Sequence, residues 1–404
     1  MIDIPQLDVL LIFLVGMIVL AGVVINDISS RLGQSPLAGF ILLGVLLRYL
    51  DNHWPFLDQA VLHAIEFLAV LGIVALLFKV GLESHPDRLL KKMPSALPVW
   101  IGGVIFTGVA GFCTAHYLLG VAIVPSILVA IAFTATSVGV TVAIWEDAGA
   151  LDSDTGYLLI DVAELDDISG IALMALLFAV VPVLLAGDGQ FWSLLGQNMV
   201  VFLVKFTLFI VMCLLFVHFI EHRVTHFLRR LNRPPQRMLV VASVGFLIAA
   251  FAGWLGFSLA IGALFAGLVF SRDPDAVKTE ISLEDLYAFV TPFFFISIGL
   301  HINPASLGDG LGIGLVLAFV AVVTKIIGHG VPALFVTSGA GALLLGVSMV
   351  PRAEIAMVIM QQGHAIGPDI VPDAVYSGMI IMSLVTCLIT PFLVKPMLKK
   401  YNQE

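Results

Sequence analysis

Three carboxylates fall within four residues at Glu164, Asp166 and Asp167, with Asp161 just upstream. They interrupt a stretch, LLIDVAELDDISGIALMALLFAVV (158–181), that is otherwise suited to hydrocarbon. Ionisable groups inside such a segment are rare and costly, and they mark ion or proton paths. On a helix Glu164 and Asp167 share a face at i,i+3, while the adjacent Asp166 and Asp167 point about 100° apart. One aspartate then faces a structural partner and the other a water-filled cavity. The cations that answer them from inside apolar segments are Lys325 in VVTKIIGHG and Arg352 in MVPRAE. A small cation that sheds its water needs a full negative charge plus hydroxyl or carbonyl oxygens. One of the two aspartates can supply that charge. If the carboxylate holds either a proton or the cation, the two compete for one site and exchange follows. The competing reading is a buried ion pair that only fixes helix packing, and such pairs contribute little net stability.

The elements that carry these groups look broken on purpose. FTATSVGVTV (133–142) weakens helical propensity at Thr134, Thr136, Ser137, Gly139 and Thr141. Pro351 lies in mid-span and strands the carbonyl of Val347. In lipid, such orphan groups are tolerated only where they line a cavity or are buried in protein. Two interrupted helices in corresponding halves are the signature of a midplane transport site built by inverted repeats. The bland alternative for either helix alone is a local kink filled by a hydroxyl.

The rest of the chain supplies the frame. Of 404 residues 60% are hydrophobic and 12% charged, against about 25% charged in an ordinary soluble domain. Apolar runs of bilayer length recur throughout, so the chain reads as an all-α polytopic membrane protein. Thirteen helices are expected near 7–26, 36–50, 60–82, 95–119, 125–145, 155–183, 192–220, 237–253, 257–271, 286–301, 311–335, 339–363 and 374–394. The net charge of −9 says little about partners, because placement outweighs the sum. Odd-numbered loops carry Arg31, Arg88, Lys91, Lys92, Arg223, Arg229, Arg230, Arg233, Arg237, Arg272 and Lys278. The tail adds Lys395, Lys399 and Lys400, whereas the even loops hold only Arg48. That bias puts the C-terminus in the cytoplasm and the N-terminus outside. The opening MIDIPQLDVLLIF has no basic n-region or cleavage site, so no removable signal peptide is read.

Other residues rank lower. Cys113, Cys213 and Cys387 have no pairing or metal spacing and read as small core residues. The ten histidines show no metal-binding spacing; His329 shares a face with Lys325 and reads as a hydrogen-bonded helix histidine. Glycines 256, 262 and 267 are expected to permit close helix approach. Lys205 and Asp161 have no assigned role.

At these residues the sequence resembles the bacterial monovalent cation:proton antiporters of the NapA/NhaA and KefC type. The segments that carry the likeness run in order: FKVGLE (78–83), TATSVGVTVAI (134–144), LDDISG (165–170), SLAIGALFAGLVF (258–270), PFFFISIGLHI (292–302), TKIIG (324–328) and GVSMVPRAEIAMVI (346–359). The resemblance implies an NhaA-like fold of thirteen transmembrane helices in inverted repeats, with two crossed discontinuous helices. Within one transmembrane domain, 1–404, it implies ion-carrying core helices at about 95–183 and 311–394. Dimerisation and scaffold helices lie at about 7–82 and 192–301. It makes Asp167 the ion- and proton-binding carboxylate and pairs Asp166 with Lys325. Thr134 and Thr136 match crossover-helix positions near the ion, and Asp167 with Asp166 would ligate the transported sodium. Glu164 and Arg352 are similar to the supporting glutamate–arginine pair of electroneutral relatives, though the spacing differs.

The expected function is sodium (or lithium) for proton antiport, electrogenic through Lys325, in the bacterial inner membrane as a homodimer. Potassium for proton exchange of the KefC kind stands as the alternative. A sodium-coupled organic-anion symporter would more naturally place polar side chains, not paired carboxylates and a lysine, in its core. No nucleophile–base pair or metal motif indicates an enzyme. Neither a cofactor nor nucleic acid is expected, and the partners are membrane lipid, a second copy and small monovalent cations.

Overall fold

The computed structural model describes residues 4–32, 34–84, 86–186, 191–221, 234–271, 280–302 and 306–401. The helices in chain order are α1 (Ile4–Leu32), α2 (Pro36–His53), α3 (Gln59–Glu83), α4 (Pro86–Cys113), α5 (Ile123–Thr134), α6 (Val138–Asp147), α7 (Asp154–Ala186) and α8 (Phe191–Leu215). They continue with α9 (Pro234–Trp254), α10 (Leu259–Phe270), α11 (Glu280–Leu300), α12 (Leu307–Ala333), α13 (Gly339–Ser348), α14 (Glu354–Ile366) and α15 (Asp373–Tyr401). Single π-turns extend α4 over Thr114–Leu118 and α8 over Phe216–Glu221. Among the described residues, seven spans are long and apolar enough to cross a bilayer: Val9–Leu32, Gln59–Glu83, Met93–Leu118, Ile123–Asp147, Val200–Phe219, Gly308–Ala333 and Asp373–Tyr401. Shorter apolar helices occupy Leu239–Trp254, Leu259–Phe270, Leu286–Leu300 and Gly339–Ser348. Of the loop cations used for orientation, Arg223, Arg229, Arg230, Arg233, Arg272 and Lys278 lie outside the described residues.

The chain forms two compact units. The first comprises residues 1–25, 40–88 and 175–300. Its helices meet backbone to backbone along glycine seams. Gly299 Cα would lie 2.9 Å from a β-carbon at Gly44, and Gly81 Cα 2.7 Å from one at Gly267. A β-carbon at Gly262 would stand 2.6 Å from Ala249 Cα. Removing the side chain is what allows such approach. Gly256 does something else: its φ of +89° closes the turn between α9 and α10, a conformation that favours glycine. Asp51 Oδ1 accepts the amides of Phe56 and Leu57 at 2.9 and 2.7 Å, and Asp58 caps α3 by accepting the Val61 amide. Large apolar side chains such as Ile12, Phe13, Leu20 and Val204 are exposed, as a lipid-facing surface requires.

The second unit comprises residues 26–39, 89–174 and 301–404. Here too small residues set the spacing: a β-carbon at Gly314 would lie 2.7 Å from the Gly378 carbonyl, joining α12 closely to α15. Trp145, Leu159, Val162, Leu345 and Met349 form part of its apolar core. The two spans expected to be broken, 125–145 and 339–363, are fully interrupted. The first breaks at residues 135–137, between α5 and α6; the second breaks at 349–353, between α13 and α14. Cys213 and Cys387 are buried, but Cys113 is exposed, which corrects its reading as a core residue.

Candidate functional site

Each break leaves helix-end amides and carbonyls without intrahelical partners, and the two breaks satisfy one another. The Ser137 amide donates to the Pro351 carbonyl at 2.7 Å. Thr141 Oγ1 donates to the Ser348 carbonyl at 2.8 Å, and Trp145 Nε1 to Ser348 Oγ at 2.9 Å. Ser137 also caps the restarted helix α6, its hydroxyl accepting from the Val140 amide. Arg352 lies in the second break and reaches into the first. Its Nε and Nη2 donate to the Phe133 carbonyl at 3.1 and 2.8 Å, and its guanidinium carbon sits 4.7 Å from the centre of the Phe133 ring. The Arg352 carbonyl in turn accepts from Ser383 Oγ at 2.5 Å on α15.

That geometry corrects the expected Glu164–Arg352 pair. Among the described residues Arg352 forms no ion pair; its Nε and Nη2 hold an orphan backbone carbonyl that exists because α5 stops at Thr134, and its Nη1 is buried without a hydrogen-bond partner. Both side chains are buried. Replacing Arg352 by methionine is expected to lower stability by about 1–3 kcal/mol, the cost of leaving that carbonyl unsatisfied. The midpoint of thermal unfolding in detergent measures it.

The carboxylates arrive from α7. Asp166 is fully buried, and so is Lys325 on α12. Lys325 Nζ donates to Asp166 Oδ2 at 2.6 Å, to Thr136 Oγ1 at 2.7 Å and to the Thr134 carbonyl at 2.8 Å. An ammonium has three protons, and all three are used. Thr136 closes the ring by donating to the same Asp166 oxygen at 2.7 Å. The structure therefore gathers Thr134, Thr136, Asp166 and Lys325 into one cluster at the first break. Ser169 Oγ, held by Trp100 Nε1 at 3.1 Å, donates to the Asp166 carbonyl behind it.

Asp167 stands beside this cluster and differs from its neighbour. It is 4% exposed, forms no ion pair among the described residues, and its Oδ1 is buried without a hydrogen-bond partner. Two further carboxylates act on it electrostatically, Glu354 and Glu164. Glu354 was not singled out from sequence. It opens the first turn of α14, and its Oε1 would lie 3.0 Å from a β-carbon at Gly139, so it reaches the start of α6 as well. The available signal was an acid three residues after a mid-span proline, at a helix start that favours negative charge.

Asp161 lies elsewhere, lining a cavity of about 270 Å³ with Ser95, Asp154, Tyr157, Leu158, Val336 and Thr337. Lys205 is exposed on α8.

A buried, charge-paired cluster where two interrupted membrane helices meet defines a secondary transporter. The chain belongs to the family described as sodium/hydrogen exchanger, transmembrane, which matches residues 14–400. It is 29% identical to the high-affinity Na(+)/H(+) antiporter NhaS3 of Synechocystis over 334 residues, covering 81% of this chain and 70% of that one. It is 27% identical to the Na(+)/H(+)-K(+) antiporter GerN of Bacillus cereus over 389 residues, 96% of this chain and 95% of the other. The fold matches that of the sodium proton antiporter MjNhaP1 from Methanocaldococcus jannaschii at a TM-score of 0.78. That match covers 98% of this chain and 99% of the other, at 14% identity.

Proposed function

We propose that the protein exchanges sodium or lithium for protons, with Asp167 as the group that holds either one. The observation that carries this reading is the contrast between the two aspartates. Asp166 is ion-paired with Lys325 and hydrogen-bonded by Thr136, both through Oδ2, whereas Asp167 is buried with no ion pair among the described residues. An uncompensated buried carboxylate is stable only with a proton or a metal cation on it. Sodium bound at Asp167 draws its remaining ligands from Thr134, Thr136, Asp166 and the carbonyls of the breaks. No cofactor is required, because the competition for one carboxylate is itself the coupling device.

In this reading the thirteen crossings count α5 with α6, and α13 with α14, as one broken span each, arranged in inverted repeats. The helices of about 95–183 and 311–394 carry the ion, those of about 7–82 and 192–301 hold a second copy, and the site faces each side of the membrane in turn. The protein sits in a bacterial inner membrane with its N-terminus outside and its C-terminus in the cytoplasm. Potassium is the second cation to test, because GerN, a relative along nearly the whole chain, is described as acting on it too. The test is proton release from acid-loaded proteoliposomes, followed by an entrapped pH dye as sodium, lithium or potassium chloride is added outside. Release with sodium and lithium supports the proposal. Release with potassium alone replaces it by potassium exchange, and none with any cation ends it.

A further inference from the structure

Asp166 takes all its contacts on one oxygen. Oδ2 receives Lys325 Nζ and Thr136 Oγ1, and His329 Nε2 stands 3.4 Å away, while Oδ1 is buried without a hydrogen-bond partner. Exchange at the aspartates gives His329 nothing to do. Yet the imidazole is fully buried, and burying a polar ring is unfavourable unless its nitrogens are used.

Two helices build its niche. His329 follows Lys325 by one turn of α12, which puts the ring on the lysine's face, with Nδ1 3.3 Å from the Lys325 carbonyl. From α4, Gly103 supplies the space. A β-carbon there would collide with Nε2 and Cε1 and lie 2.7 Å from Cδ2. One at Gly328 would stand 3.4 Å from Gly103 Cα, so the two helices approach closely at this level. The ring is held between them and has no room to swing away.

We propose that His329 is a positioning residue for the cation site. Its neutral imidazole holds the Oδ2 side of Asp166 so that the carboxylate does not rotate, and Oδ1 stays the oxygen left for the transported ion. A neutral ring has one proton for two acceptors. The charged carboxylate is the stronger and selects the tautomer with its proton on Nε2, which leaves Nδ1 bare beside the Lys325 carbonyl and without a hydrogen bond to it. At 3.4 Å Nε2 forms no hydrogen bond with Asp166, and the contact acts as an electrostatic stop. The inference rests on cation exchange at Asp166 and Asp167.

Sodium-driven proton release from proteoliposomes, with sodium-induced thermal stabilisation of the purified protein, tests it. His329→Leu keeps the bulk and loses the N–H. It should raise the apparent KM for sodium about threefold, as the loss of a weak electrostatic contact does, with maximal rate little changed. His329→Gln keeps a donor and should restore KM to near the original, with an unaltered pH profile. Gly103→Ala, which crowds the ring, should copy the leucine variant and serves if that variant does not fold. An unchanged KM in His329→Leu or Gly103→Ala would overturn the proposal, and so would equal damage from glutamine and leucine. If the unaltered protein shows no sodium-driven release, it is the exchange reading that fails instead.

Discussion

Asp167→Asn is expected to abolish cation-dependent proton release entirely while leaving the protein folded. The amide matches the carboxylate in size, so packing around α7 is preserved. It carries no proton to exchange and no charge to hold a dehydrated cation, so both halves of the cycle stop together. Stability should not fall, because a neutral amide replaces a buried group with no ion-pair partner among the described residues. The unfolding midpoint is therefore expected to hold or rise, while the upward shift caused by sodium disappears. Transport above the level of empty vesicles would remove Asp167 from the mechanism.

Lys325→Gln is the second large effect, and it differs in kind. Lys325 satisfies the Thr134 carbonyl, the Thr136 hydroxyl and Asp166 at once, so its loss leaves a buried carboxylate uncompensated. Breaking such a pair costs about 3–5 kcal/mol, and the unfolding midpoint should fall accordingly. If the lysine releases its proton when the cation arrives, two protons leave for one sodium and the unaltered protein responds to voltage. The glutamine variant then exchanges one for one, more slowly and without voltage dependence. An imposed potassium-diffusion potential across the vesicle membrane reads this directly. Should the unaltered protein ignore that potential, Lys325 is an anchor and the exchanged proton always belongs to Asp167. The Glu164–Arg352 pair that made a one-for-one exchanger attractive is not among the ion pairs of the described residues, and Arg352 Nε and Nη2 meet the Phe133 carbonyl instead.

What could be read in advance follows from what is costly. A lysine and two aspartates inside apolar runs stand out because hydrocarbon penalises them, and a mid-span proline stands out because it strands a carbonyl. Those signals pointed to Asp166, Asp167, Lys325 and the 133–142 and 351 breaks from sequence alone. Partners set by the meeting of distant segments were less legible. Arg352 looked like a cation seeking an acid, yet a helix end at Phe133 and Thr134 competes for a guanidinium, and no residue spacing reveals that. Glu354 gains its place near Asp167 only because the second helix restarts there. His329 was visible as one turn from Lys325, but the niche that aims it depends on Gly103, 226 positions away in the chain. Glycines mislead in a similar way. Gly262 and Gly267 sit at close approaches, while Gly256 looks the same in sequence and makes a turn instead.

The glycine seams of the first unit also say something about stiffness. Helices that slide past one another usually do so on their side chains, which change rotamer and act as a lubricating layer. Along Gly44–Gly299 and Gly81–Gly267 there is no such layer, only backbone against backbone. Any sliding there would drive carbonyl oxygens into α-carbons, and the energy rises steeply within a fraction of an ångström. Helices α2 and α11, and likewise α3 and α10, are thereby welded into one part that transmits force without absorbing it. In this unit stiffness comes from what the sequence leaves out.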